Sequence, residues 1–143
     1  MPRYTTTVHS SMSPDEAFAY MARFENLIEW DPSAVEASAV DGAPTVGSRY
    51  EVAVRFGKGV QRLTYVVRDY DPPRMIRLFA DAGRYTSTDT ITVAPDGDGS
   101  AVTYDVVIGL KGLLKLAGPI VASRFRAAGD AARDGMARVL NPG

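Results

Sequence analysis

From Arg49 to Leu110 the chain runs strand after strand, with no helical stretch between them. Arg49 to Phe56 puts Tyr50, Val52, Val54 and Phe56 on one side, and Val60 to Tyr70 does the same with Leu63, Tyr65 and Val67. Ala101 to Leu110 aligns Val102, Tyr104, Val106, Ile108 and Leu110. A period of two marks a strand with one buried face. Tyr85 to Val93 turns Thr86, Thr88, Thr90 and Thr92 outward and Tyr85, Ser87, Asp89, Ile91 and Val93 inward. Met75 to Ala80 is a further strand, but both its faces are apolar and its inner side is not assigned. Gly57-Lys58-Gly59 reads as a turn, Asp71-Pro72-Pro73 as a stop and Asp96-Gly97-Asp98-Gly99 as a hairpin turn.

The flanks say what covers this sheet. Tyr4 to Ser10, rich in Thr with Tyr and Val, is a first strand, and Ala34 to Val40 is another. Ser13-Pro14-Asp15-Glu16 opens a helix: Ser13 caps it, Pro14 suits its first position and Glu16 completes a capping box. Phe24 to Glu29 is a second short helix, ending near Trp30-Asp31-Pro32. At the other end Leu114, Val121, Phe125, Ala128, Ala132, Met136 and Val139 form one helical stripe. Gly118-Pro119 is expected to break or kink that helix, making residues 111 to 120 a candidate lid, and Asn141-Pro142-Gly143 ends it.

A sheet of about seven strands is roughly 30 Å wide, and one helix spans only about 10 Å of it. The sheet must curl round the helix, and the curl leaves space that side chains need not fill. Tyr50, Tyr65, Tyr85, Tyr104, Ser87 and Asp89 bring polar groups to the inner face. An apolar hollow with a few convergent polar groups is the usual form of a small-ligand site.

Ordered pieces of the chain carry a resemblance over about residues 3 to 140. They are Ser13-Pro14-Asp15-Glu16-Ala17-Phe18, Phe24-Glu25-Asn26, Trp30-Asp31-Pro32, Tyr70-Asp71-Pro72-Pro73-Arg74, Asp89-Thr90-Ile91, Gly97-Asp98-Gly99-Ser100 and Leu110-Lys111-Gly112. The set resembles the START-related, polyketide cyclase/dehydrase and lipid-transfer superfamily, also called SRPBCC or helix-grip proteins. The resemblance implies an α+β fold over residues 1 to 143 as one domain. Its curved, seven-stranded antiparallel sheet would wrap around a long C-terminal helix, with two short helices between strands 1 and 2. It implies a pocket for hydrophobic molecules such as lipids, polyketides, quinones or plant hormones, and it brings no universal catalytic set.

The expected pocket residues are Tyr50, Val52 and Val54, then Leu63, Tyr65 and Val67, then Tyr85, Asp89 and Ile91, with Tyr104 and Val106. Val121 and Phe125 come from the helix, and Trp30, the one tryptophan, is expected at the pocket wall or mouth. Asp89, Tyr65 and Tyr104 are the acid–base candidates, with Tyr85 beside them. Asp89 has two readings. Buried among apolar groups its pKa rises and it becomes an acid or base; near a strand end it pairs with Arg77 or Arg84, the favoured alternative.

His9, the only histidine, is expected to face outward, which leaves no Ser-His-Asp triad. With no cysteine and no spaced carboxylate cluster, neither a metal nor another cofactor is expected. Asp96 to Ser100 resembles the start of a calcium loop, but Val107 stands where the bidentate Glu is needed. Gly57-Lys58-Gly59 joins strand to strand and is not a phosphate loop. With 16 basic and 17 acidic residues the net charge is -1, against a nucleic-acid partner. No run of about 18 apolar residues appears, so no membrane insertion is expected. Lys111, Lys115, Arg124 and Arg126 beside the apolar stripe suggest a membrane-surface helix, but Asp130 and Asp134 favour core packing. The start, Met1 to Thr7, lacks a signal-peptide core, and a cytoplasmic protein is expected. Monomer and homodimer both stay open.

Three functions fit: a carrier or sensor of a hydrophobic small molecule, placed first; a cofactor-independent cyclase or dehydratase with an acid or base in the pocket; and a protein-interaction module whose cavity its own side chains fill.

Overall fold

The computed structural model describes residues 2–56 and 58–142, apart from the side chain of Phe56. The expected inward placement of Phe56, and the parts of Gly57 and Gly143 in a turn and a helix end, lie outside the described residues. Strands β1 (Arg3–Ser10), β2 (Ala34–Ala39), β3 (Arg49–Phe56), β4 (Gly59–Asp71), β5 (Met75–Asp81), β6 (Tyr85–Asp96) and β7 (Gly99–Leu110) form one antiparallel sheet. Its order is β1-β7-β6-β5-β4-β3-β2, so the first two strands of the chain are its two edges. Helices α1 (Pro14–Ala22) and α2 (Leu27–Trp30) carry the chain from one edge to the other, and the long helix α3 (Gly118–Val139) lies in the concavity. The seven-stranded helix-grip arrangement is the one the resemblance implied.

Local chemistry sets the elements. Glu16 N–H donates to Ser13 Oγ at 3.2 Å, which caps α1, and Ser13 Oγ–H donates to the Glu16 carboxylate at 3.0 Å, so the Ser13–Glu16 pair expected to start the helix is joined through the Ser13 hydroxyl and not its backbone N–H. The second short helix is split. Phe24–Asn26 is 3-10 and Leu27–Trp30 is α-helical, because the segment bends to bury Phe24, Leu27 and Trp30 together. The β6–β7 hairpin turns at Gly97, whose φ of 58° is left-handed, and pairs Asp96 with Gly99. Alternation holds in β5, where Ile76, Leu78 and Ala80 face inward. Phe79 is on the outer face, under the Arg68 guanidinium at 4.4 Å.

Gly118-Pro119 does not kink α3; it starts it. Residues 112–117 form a separate 3-10 turn, and Pro119 sits in the first turn of α3, where its missing N–H costs nothing. The buried residues of α3 are Gly129, Ala132, Gly135 and Met136, all in its second half. Two glycines permit this close seating. A Cβ on Gly129 would lie 2.5 Å from the Tyr4 ring, and one on Gly135 would lie 1.9 Å from the Trp30 carbonyl oxygen. Ser10 Oγ–H donates to the Leu140 carbonyl at 2.7 Å and Asn141 Nδ2–H to the His9 carbonyl at 2.8 Å, which fastens the end of the helix to β1. No residue from Gly118 to Ala128 is buried. The helix is therefore anchored at one end and stands off the sheet at the other.

Candidate functional site

The stand-off leaves a cavity of about 330 Å³ between the sheet and the first half of α3. That volume is within the usual range for small-ligand pockets, roughly 300 to 1,000 Å³. Val54, Leu63, Val106, Ile108 and Leu110 line it from the sheet, with Leu114, Ile120, Val121, Phe125, Ala128 and Ala132 opposite. Apolar side chains thus make most of the wall. Open space here counts against a cavity plugged by its own side chains.

One polar cluster interrupts that wall. Asp89, on β6 and 1% exposed, accepts from Ser87 Oγ–H at 2.7 Å and from the Tyr104 hydroxyl at 2.6 Å. The Tyr65 hydroxyl donates to Ser87 Oγ at 3.1 Å. All four residues line the cavity. Strand pairing explains the convergence: Ser87 and Asp89 are two apart on one face of β6, and Asp89 is opposite Val106, next inward neighbour of Tyr104. Burial pushes the Asp89 carboxyl up to about 6, against the bonds from Tyr104 and Ser87, and the nearby Asp31 charge adds to the rise. Burial, and then the Asp89 charge, lift the Tyr65 and Tyr104 phenols well above their ordinary range. The same two causes push Tyr85 to about 12.

Among the described residues Asp89 pairs with no arginine: its partners are Ser87 and Tyr104, and Arg84 is exposed. Arg77 is on the outer face, where it donates to Asp69 at 2.8 Å and to Thr90 at 3.2 Å. The favoured ion-pair reading fails because alternation points positions 77 and 89 to opposite faces of the sheet. A second carboxylate, Asp31, also lines the cavity; burial raises its pKa, against hydrogen bonds from the Ser33 N–H and hydroxyl. Among the described residues no group of three or more His, Asp or Glu is gathered to hold a metal. His9 is exposed, 2.9 Å from Asp96.

Of the residues expected to line a pocket, Val54, Leu63, Tyr65, Tyr85, Asp89, Tyr104, Val106, Val121 and Phe125 share this cavity. Trp30, Tyr50, Val52, Val67 and Ile91 do not; they are buried in the core beside it. The short helices are the reason. Phe24 covers the inner face by packing edge-on against Tyr50 and Tyr65, at 6.1 and 5.0 Å between ring centroids. Trp30 packs edge-on against Tyr104 at 5.1 Å, one ring behind the wall. Tyr4, Asp31, Ser33, Arg55 and Arg124 were not expected at the site. Tyr4 is legible as part of the first strand, but nothing in the sequence brings α3 against it.

Exposed lining residues mark the mouth: Ile120 and Arg124 on α3 and Arg55 on β3. Leu113 and Leu116 of the adjoining 3-10 turn, and Ile120, are 85%, 82% and 63% exposed. Leu114, the first residue of the expected helix stripe, is half-buried and packs against the core. Among the described residues no helix is long and apolar enough to cross a membrane.

A family model described as polyketide cyclase / dehydrase and lipid transport matches residues 1–141. No curated protein matches the sequence. Several solved structures share the fold. A Thermus thermophilus protein superposes with a TM-score of 0.78 at 15% identity, covering 95% of this chain and 94% of its own. A START superfamily protein of Mycobacterium smegmatis gives 0.78 at 14%, covering 96% of each. The Zhui aromatase/cyclase of Streptomyces sp. R1128 gives 0.72 at 13%, covering 94% of this chain and 90% of its own. At these identities the likeness is one of fold.

Proposed function

We propose, on the premise that this chain belongs to the polyketide cyclase/dehydrase and lipid transport family, that it binds a hydrophobic small molecule between sheet and helix as a carrier or sensor. Family membership supports a ligand-binding or cyclase role. The observation that carries this reading is the cavity of about 330 Å³, walled mostly by apolar side chains, with the hydrogen-bonded Asp89 carboxylate at its floor. A lipid, polyketide, quinone or similar aromatic body would bury its surface there, gaining about 25 cal/mol per Å² of apolar area removed from water. The polar floor would orient it.

Native mass spectrometry of the protein purified from its own host, followed by solvent extraction, tests this. A bound apolar compound is expected, and Ala128→Trp, which fills the cavity from α3, should abolish its retention. A protein that carries nothing, and binds no apolar dye in a way that Ala128→Trp blocks, would sink the proposal.

A second reading, acid–base catalysis of a cyclase or dehydratase kind, is favoured by one observation. Asp89, held near 6, is a carboxyl able both to take and to give a proton near neutrality. On that reading Asp89→Asn would abolish turnover of a polyketide-like substrate while leaving its binding in place.

A further inference from the structure

The floor of the cavity has a hydrogen-bonding sense. Tyr65 O–H points to Ser87 Oγ, Ser87 O–H to Asp89 Oδ1, and Tyr104 O–H to Asp89 Oδ2. Each hydroxyl has a single proton: those of Ser87 and Tyr104 go to the carboxylate, and that of Tyr65 goes to the Ser87 oxygen. What these groups still offer an incoming molecule is lone pairs. A carboxylate has about four acceptor sites, and Asp89 fills only some of them. Asp31 adds acceptor character to the same wall: its Oδ1 takes the Ser33 N–H at 2.9 Å and the Ser33 hydroxyl at 2.7 Å. The cations of the wall, Arg55 and Arg124, are solvent-exposed, so positive charge stands at the mouth and acceptors lie at depth. Arg55 also donates to the Pro32 carbonyl at 2.9 Å. Tyr4, at the α3 side, commits its proton to Asp130 at 2.7 Å.

We propose that the site selects an apolar, neutral molecule that enters with a hydroxyl or phenol leading and donates its proton to Asp89, and that it discriminates against a molecule whose leading group only accepts. This rests on the reading of the cavity as a ligand site. An ether, ester or carboxylate placed at the floor would meet lone pairs with lone pairs and leave a desolvated carboxylate short of a partner. Sites built to hydrogen-bond one substrate group reject analogues that lack it far better than apolar pockets reject a missing methylene. A cation leading would satisfy Asp89 but must pass the arginines at the mouth, so the neutral donor fits both ends.

The test is an NMR titration at pH 8 with two probes on the same ring system, 2-naphthol and 2-methoxynaphthalene, which differ by one methyl and by the donor proton it replaces. The expected result is that 2-naphthol binds about tenfold tighter or better, the usual worth of a hydrogen bond to a charged group. In Asp89→Asn the preference should fall toward one, because an amide presents a donor as well as an acceptor. In Tyr104→Phe, which frees a lone pair on Asp89, it should persist or grow. Equal binding of the two probes to the unaltered protein overturns this proposal and leaves the ligand site standing. So does a preference undiminished in a folded Asp89→Asn or lost in Tyr104→Phe; the parent and Tyr104→Phe measurements decide the matter even where Asp89→Asn does not fold. Binding of neither naphthalene overturns both this proposal and the ligand-site reading.

Discussion

The Tyr104 hydroxyl donates to the Asp89 carboxylate at 2.6 Å across the β6–β7 pair, from a residue whose register partner is Ile91. The two are therefore diagonal neighbours on the concave face, close enough for a long side chain to bridge. Tyr104 is fixed from behind by the edge of Trp30. A buried aromatic thus aims a hydroxyl at a buried acid, and both open onto the same cavity. A buried carboxylate without such donors would cost several kcal/mol; with them it stays, at the expense of a raised pKa.

That raised pKa makes stability depend on pH with a definite sign. The folded value of about 6 exceeds the ordinary 3.8, so the folded protein holds this proton more tightly than the unfolded chain. The contribution of Asp89 is least unfavourable below about pH 4 and worsens as pH rises to about 6, by on the order of 2 to 3 kcal/mol. Asp89→Asn removes that dependence. The stability of the variant relative to the parent should then rise by about 2 kcal/mol between pH 4 and pH 7 in urea denaturation. Asp31 titrates upward in both proteins and largely cancels. A difference that stays constant across the two pH values would show that Asp89 is not a charged, buried group.

Tyr50 provides a contrast with Tyr104. Its hydroxyl is fully buried and has no hydrogen-bond partner among the described residues, and burial pushes its pKa up to about 12. Tyr50→Phe removes a desolvated hydroxyl and keeps the ring against Phe24, so it should be neutral or stabilising by up to about 1 kcal/mol. Tyr104→Phe leaves an acid short of a donor and should cost roughly 1 to 3 kcal/mol. Thermal melts of the two variants check this; a Tyr50→Phe loss as large as that of Tyr104→Phe would mean that the Tyr50 hydroxyl is bonded.

Much of this arrangement was legible in the sequence because it follows from period and punctuation. Alternation put Leu63, Tyr65, Ser87, Asp89 and Tyr104 on one face, and Ser13-Pro14 placed the start of α1 to the residue. Contacts across elements were not legible. Nothing local says that Phe24 covers Tyr50 while leaving Asp89 open, so core and cavity wall could not be separated along the same strands. Pro119 misled because a proline inside an apolar stripe has two uses, breaking a helix or starting one, and only the 3-10 turn before it distinguishes them. Asp89 misled because arginines near in sequence were weighed without the face each one occupies.

The glycines of α3 are a sharper test of how the helix is seated. At Gly135 an added methyl would stand 1.9 Å from the Trp30 carbonyl oxygen and 2.7 Å from its carbon, both backbone atoms that cannot turn away. At Gly129 it would meet the Tyr4 ring, which can swing aside by giving up its bond to Asp130. Gly135→Ala is therefore expected to cost about 3 kcal/mol or more and Gly129→Ala about 1 to 2 kcal/mol. Chemical denaturation of both variants decides it. Equal losses would mean that the helix shifts as a rigid rod instead of being pinned at Trp30.

A helix pinned at one end should also be unequally stable along its length. Met136 is fully buried, and Met136→Ala should cost roughly 2 to 5 kcal/mol by opening a void in the core. The 3-10 turn has no buried residue, and its Leu113 and Leu116 face water. Replacing both with Gln should change global stability by no more than about 0.5 kcal/mol. Amide exchange in residues 111–120 should be correspondingly fast, because local opening there exposes little that is not already exposed. The cavity mouth lies at that end, so entry of a ligand would need no unfolding of the anchored half. Protection at 111–120 equal to that of β6 and β7, or a loss from the double Gln variant as large as that from Met136→Ala, would contradict this division of the helix.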